Sequence, residues 1–195
     1  MRVRAVFTVV ALALTTFGFG VATPANVTAG TAGCTITGTN NNDTLTGTPG
    51  PDVICGFGGR DTLRGRRGDD VLRGGRGGDT LHGDPGKDVL RGGPGSDSMD
   101  AGRGADISRG GGGNDFSFVS SAGGDRWFGG PGKDHLTDFS GIDVVRGGSG
   151  SDSCLATFDG VGGDTLRGGL GFDIWYADDA DDVQGVEQRI QCFAQ

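Results

Sequence analysis

The chain has 195 residues, of which 43 are glycine, about three times the average share of roughly 7%. Apolar residues make up 34% and aromatic residues 7%, too little for an ordinary packed core, so something besides bulk hydrophobicity has to hold the fold together. Collagen is excluded because glycine does not recur at every third position, and featureless disorder is at odds with strictly ordered Asp and Gly positions. The formal net charge is −8, and of the 25 acidic residues all but Glu187 are aspartate; such a surface argues against nucleic acid as a partner.

Arg2 and Arg4 precede an almost uninterrupted apolar run from Ala5 to Val21, and small residues follow from Ala22 to Ala32. This three-part layout predicts a secretory signal peptide over residues 1–29, cleaved between residues 25 and 32, and hence a secreted, extracellular protein. Thr15, Thr16, Gly18 and Gly20 interrupt the run, which is near the short limit for a membrane span. No second apolar stretch of that length follows, so no membrane span is expected in the mature chain. Residues 30–37 then form an N-terminal cap.

From Gly38 to Tyr176 the chain repeats. Aspartate stands at 43, 52, 61, 70, 79, 88, 97, 106 and 115, at intervals of nine. The series resumes after one extra residue at Asp125, Asp134, Asp143 and Asp152, and after three more at Asp164 and Asp173, giving fifteen units. With Asp as the sixth position of each unit, the fourth is Gly in fourteen units and Asn41 in the first. Asn is the best non-Gly residue for positive φ, which points to a left-handed backbone there. The eighth position is apolar in thirteen units, from Leu45 to Trp175, with Ser108 and Ser117 as the misfits. Each unit therefore reads as a Gly-rich turn closed by Asp and followed by a three-residue strand whose middle member points inward.

Position seven sets the true period. It runs Thr44, Val53, Thr62, Val71, Thr80, Val89, Ser98, Ile107, alternating hydroxyl and aliphatic, so the structural repeat is 18 residues. The predicted fold is all-β: a right-handed parallel β-roll of nonapeptide repeats, two per coil, with odd and even units in separate sheets. Its interior is too thin to stabilise it by burial alone, at about 25 cal/mol per Å² of apolar surface against roughly 1 to 2 kcal/mol of backbone entropy per residue.

Stacking brings equivalent turns to about 4.8 Å, so the aspartates would form two columns of repelling charge unless cations intervene. Ca²⁺ is the cation that fits, because it takes 6 to 8 oxygen ligands in flexible geometry and Gly-rich turns expose carbonyls beside the carboxylates. Zn²⁺ prefers His and Cys, which these turns lack, and Mg²⁺ demands stricter octahedral geometry. The candidate metal ligands are thus Asp43, Asp52, Asp61, Asp70, Asp79, Asp88, Asp97, Asp106, Asp115, Asp125, Asp134, Asp143, Asp152, Asp164 and Asp173, with binding coupled to folding.

The units GGRGGDTLH at Gly74 to His82, GGPGSDSMD at Gly92 to Asp100 and GGPGKDHLT at Gly129 to Thr137 closely resemble the hemolysin-type, or RTX, calcium-binding nonapeptide GGxGxDxUx. The resemblance implies a parallel β-roll with multiple Ca²⁺ ions held between turns two units apart, through the Asp carboxylates and turn carbonyls. Arg66 and Arg67, Asp84 and Pro85, Ser120 to Ala122 and Asp138 to Ser140 depart from the early turn positions. The insertions at Val119 and at Ala156 to Phe158 are expected to interrupt the stacking and weaken nearby sites.

Four cysteines in an exported chain favour disulfides, and their positions favour Cys34 with Cys55 and Cys154 with Cys192, as staples on the terminal coils. Residues 177–195 form a C-terminal cap, with a closing strand within Val183 to Phe193 and an acidic loop at Asp178, Asp179, Asp181 and Asp182. His82 and His135 read as surface residues. Arg73, Arg91 and Arg109 stack beside Val71, Val89 and Ile107, either as a solubilising face or as a site for an anionic glycan or another protein. No GxSxG or Walker A motif occurs, and little chain lies outside the repeat. The expected function is that of a secreted, non-enzymatic calcium-binding protein, the alternative being an extracellular adhesion module in which Ca²⁺ is only structural.

Overall fold

A computed structural model describes residues 33–119, 123–138, 141, 143–157, 165–171, 173–176, 182–184 and 188–189. The signal-peptide segment, Asp164, Cys192 and the loop at Asp178, Asp179 and Asp181 lie outside the described residues. The structure is built of short parallel strands and contains no helix among these residues.

The odd-numbered strands are β1 (Ile36–Thr37), β3 (Val53–Gly58), β5 (Val71–Arg76), β7 (Val89–Pro94), β9 (Ile107–Gly112), β11 (Arg126–Pro131), β13 (Val144–Ser149), β15 (Thr165–Leu170) and β17 (Asp182–Gln184). The even-numbered strands are β2 (Thr44–Thr46), β4 (Thr62–Arg64), β6 (Thr80–His82), β8 (Ser98–Asp100), β10 (Phe116–Val119), β12 (His135–Asp138), β14 (Ser153–Thr157), β16 (Ile174–Tyr176) and β18 (Gln188–Arg189). Each set forms one nine-stranded sheet in chain order. Every step along a sheet therefore skips one strand, which is the topology of a two-sheet solenoid: a parallel β-roll.

The 18-residue period is read directly from the register. Val53 pairs with Val71, Val71 with Val89 and Val89 with Ile107 on one sheet, and Thr44 with Thr62, Thr62 with Thr80 and Thr80 with Ser98 on the other. The alternation at position seven is thus two uniform columns, one aliphatic and one hydroxyl. On the even-numbered sheet β2, β4, β6, β8 and β16 have the expected three residues; on the opposite sheet the strands from β3 to β15 run six residues, through the third position of the next unit. On the edge where the strands stop short, an isolated bridge links Pro85 to Arg103.

Eighth-position side chains fill the interior. Ile54, Leu63, Leu72, Leu81, Leu90 and Leu166 are fully buried, with Met99, Leu136, Val145 and Trp127 nearly so. The two misfits are buried as well. Ser108 is the register partner of Trp127, so a small side chain stands where the neighbouring indole needs volume, and Ser117 enters the same stretch from the other sheet.

The insertions do not break the stack. The extra residue after Val119 leaves β9 paired with β11 and β10 with β12, and at the longer insertion β12 stays paired with β14 through a register shift of one residue between His135 and Thr137, with β13 paired to β15 beyond it. Parallel pairing survives because an added residue can be displaced into a turn without shifting inward and outward faces. At the ends, β1 precedes the first repeat, β17 and β18 extend the two sheets, and Cys34 and Cys55 form the expected disulfide, with a Cα separation of 6.1 Å. The Cys154–Cys192 pairing falls outside the described residues. No helix among the described residues is long and apolar enough to cross a membrane.

Candidate metal centre

The sixth-position aspartates end the turns on the two edges of the roll, and they interlock. The backbone N–H of each donates to Oδ1 of the aspartate one coil further on. One column runs Asp43, Asp61, Asp79, Asp97, Asp115, Asp134, Asp152 and Asp173, with N···O distances of 2.8 to 3.0 Å. The other runs Asp52, Asp70, Asp88, Asp106, Asp125 and Asp143. Both columns pass the first insertion, Asp106 reaching Asp125 and Asp115 reaching Asp134 across 19 residues at 2.6 and 2.9 Å, and the column of Asp152 passes the second, reaching Asp173 across 21 residues at 3.0 Å.

Only one carboxylate oxygen is used in this ladder. The Oδ2 atoms of Asp61, Asp70, Asp79, Asp88, Asp97, Asp106, Asp115, Asp125, Asp134 and Asp152 are buried and have no hydrogen-bond donor. A buried charged acceptor without a partner is strongly unfavourable, so a regular row of them points to a ligand. The first-position glycines show what surrounds these atoms. A Cβ at Gly74 would run into Asp79 Oδ2 and lie 2.8 Å from the Gly92 carbonyl oxygen, and one at Gly38 would lie 2.8 Å from both Asp43 Oδ2 and the Gly56 carbonyl. At Gly38 and Gly74 glycine is required by close approach, since a side chain would fill a cradle walled by a carboxylate and a carbonyl of the next coil, whereas the first position before Asp106 carries the buried methyl of Ala101.

The donors in the cradle are all oxygen, which suits a hard cation such as Ca²⁺ and not a thiolate- or imidazole-seeking metal. No cluster of three or more His, Cys, Asp or Glu side chains among the described residues could hold a metal, so turn carbonyls must complete the set. Without a cation the site favours protons. Burial pushes Asp88 up to about 8, Asp97, Asp125 and Asp134 to about 7 and Asp106 to about 6, against the opposing effect of the N–H each accepts from the preceding aspartate. Asp61, Asp70, Asp79, Asp115 and Asp152 are raised for the same first reason.

The first turn on each edge is built differently. At the second position Thr39 donates its N–H to Asp43 Oδ2 at 2.6 Å and its hydroxyl at 2.9 Å, and Thr48 does the same for Asp52. The oxygen left bare in later coils is here satisfied by the chain itself. In the following units the second position takes positive φ, not only at Gly75 and Gly93 but also at Phe57 (77°), Arg66 (85°) and Asp84 (66°). The fourth position is left-handed as expected at Gly59, Gly68 and Gly77, but Gly50, Gly86, Gly123 and Asn41 do not share it. Thr39 Oγ1 accepts the Asn41 N–H at 3.1 Å, a local bond that holds this turn in another conformation.

A model of the RTX calcium-binding nonapeptide repeat matches the chain four times, at residues 37–72, 56–90, 82–116 and 120–154. The chain belongs to this calcium-binding repeat family. No curated protein matches the chain. The RTX matches take in thirteen of the fifteen sixth-position aspartates, from Asp43 to Asp152. Asp143 lies in its column through the bond from Asp125, and Asp164 lies outside the described residues. The sequence names the aspartates and the turn carbonyls as candidate ligands but does not reveal the Oδ1 ladder or the left-handed second position. The last had a visible signal in the Gly run at Gly75, Gly93, Gly102 and Gly111. His135 stacks on Phe116 at 5.2 Å between ring centroids, and His82 Nδ1 lies 3.8 Å from Asp100 Oδ2; both are away from the cradles.

Proposed function

We propose that the chain is a secreted, extracellular calcium-binding protein whose RTX repeats fold around multiple Ca²⁺ ions, and that it acts without catalysing a reaction. The observation that carries the reading is the row of buried, donor-less Oδ2 atoms, with a turn carbonyl of the next coil beside those of Asp61, Asp70, Asp79, Asp88, Asp97, Asp115, Asp134 and Asp152. Asp61, Asp79, Asp97, Asp115, Asp134 and Asp152 hold ions along one edge, and Asp70, Asp88, Asp106, Asp125 and Asp143 along the other. Bound Ca²⁺ would supply positive charge and oxygen coordination that tie successive turns together. The protein's own part is to hold Oδ1 in the backbone ladder, which fixes Oδ2 toward the cradle, and, at first-position glycines such as Gly56, Gly74 and Gly92, to leave the cradle free of a side chain. Affinities of about 10⁻⁴ to 10⁻³ M suit an extracellular module, and the Arg2 to Ala32 segment supports export.

The test is a Ca²⁺ titration of the purified chain, followed by circular dichroism and native mass spectrometry. The expected result is a transition to β structure together with uptake of several ions at millimolar Ca²⁺. No uptake and an unchanged spectrum would end the proposal.

A further inference from the structure

The outward face of the odd-numbered sheet carries a charge pattern that the acidic composition hides. In its ninth-position column, Arg73, Arg91, Arg109, Phe128, Arg146 and Arg167 are successive register partners. All five arginines are exposed. Strand spacing places successive members of the column about 4.8 Å apart in a straight row. From β3 to β15 no outward position of this sheet is acidic. None of these arginines joins an ion pair; among the described residues the pairs are Arg64 with Asp84 and His82 with Asp100. Phe128 fixes the middle of the row, with the Arg109, Arg126 and Arg146 guanidinium carbons 5.1, 5.9 and 5.5 Å from its ring centroid. On one side of the row lie Val71, Val89, Ile107 and Val144. On the other is a bare backbone floor of Gly75, Gly93, Gly111, Gly130 and Gly148.

We infer that this face binds a linear acidic polysaccharide, laid along the row with its carboxylates or sulfates on the arginines and its sugar rings on the glycine floor. The inference rests on the calcium-held roll, because cations in the turns keep the row straight and neutralise the buried aspartates, leaving the arginines as the dominant field of the molecule. A nucleic acid fits less well. Binding of unpaired bases relies on aromatic faces open for stacking, whereas Phe128, the aromatic side chain of this row, is already flanked by guanidinium groups. A duplex is a cylinder and would meet a flat face along few phosphates.

The experiment uses the full chain in saturating Ca²⁺, with chondroitin sulfate as the probe and dextran and single-stranded DNA beside it. The parent should bind chondroitin sulfate and not dextran, and the binding should vanish in 1 M NaCl. Arg73, Arg91, Arg109 and Arg146 replaced together by Gln should weaken it tenfold or more with Ca²⁺ content unchanged. Removal of equal charge from the turns, at Arg60, Arg66, Arg67 and Arg103, should leave it near the parent value. Equal losses in the two variants, tighter binding to DNA, or binding that persists in high salt would each overturn the inference, the last without need of any variant. A parent that takes up no Ca²⁺ would strike the calcium reading, whereas full Ca²⁺ content without glycan binding strikes this inference alone.

Discussion

Asp79→Asn separates the two roles of a ladder carboxylate. Oδ1 of Asp79 accepts the Asp61 N–H at 2.8 Å, and its own N–H donates to Asp97 Oδ1 at 2.8 Å. A carboxamide oxygen can keep the first bond and the backbone keeps the second, so the stack should survive. What changes is Oδ2, which is buried and donor-less beside the Gly92 carbonyl. An NH₂ group there becomes a donor facing an acceptor, as a protonated carboxyl would be, and burial already raises the pKa of Asp79. Relief of a buried unsatisfied acceptor is worth about 1 to 3 kcal/mol, so the metal-free chain should gain stability of that order. The Ca²⁺-loaded chain should lose a charged ligand and bind at least tenfold more weakly at the adjoining cradles, a change of about 1.4 kcal/mol or more. Denaturant unfolding in EDTA and in Ca²⁺, with isothermal titration calorimetry, measures both signs. Asp84→Asn is the control, because Asp84 pairs outward with Arg64 at 2.6 Å. If Asp79→Asn leaves the Ca²⁺ isotherm of the parent unchanged, or destabilises the metal-free chain, the assignment of Oδ2 as a ligand is wrong.

Four further outcomes follow from the same geometry. The folded-state pKa values are raised, so in EDTA the ladder carboxylates favour the roll at acid pH, and that stability is lost as pH rises through about 6 to 8; circular dichroism in EDTA should show β structure at pH 5 and its loss by pH 9, and the reverse order would refute this. Asp43→Asn, at a carboxylate already satisfied by Thr39, should reduce Ca²⁺ uptake less than Asp79→Asn does in parallel titrations. Arg66→Gly removes a side chain from a backbone at φ 85° and should raise the denaturation midpoint, by about 1 kcal/mol of stability. Reduction of Cys34–Cys55, which closes a 21-residue separation, should cost about 3 kcal/mol and free the amides of β1 and β3 to exchange before those of β7; uniform exchange along the roll would contradict a capping role.

The sequence made the coil legible because its constraints repeat. A nine-residue Asp interval, an alternating seventh position and an inward eighth position fix the strand spacing, the two sheets and the interior, and the register confirms each. What it did not show depends on atoms two coils meet through. The Oδ1 ladder arises from a side chain bonding the backbone 18 residues earlier, and no local pattern distinguishes it from carboxylates that merely face one another. Ser108 looked like a defect because the volume that explains it, Trp127, belongs to the next coil of the same sheet. Asn41 misled for a local reason, since Thr39 supplies the hydroxyl that replaces a left-handed turn. The insertions were expected to break the stack, but parallel strands tolerate extra residues wherever these can leave through a turn.

The most direct test of the calcium-held roll is a crystal structure of the Ca²⁺-loaded chain with anomalous scattering recorded from the calcium. The account predicts a row of anomalous peaks along each edge, each in contact with the Oδ2 of a sixth-position aspartate such as Asp79 or Asp88 and with a first-position carbonyl such as that of Gly92 or Ala101. A folded roll in saturating Ca²⁺ with no peaks in these cradles would contradict it.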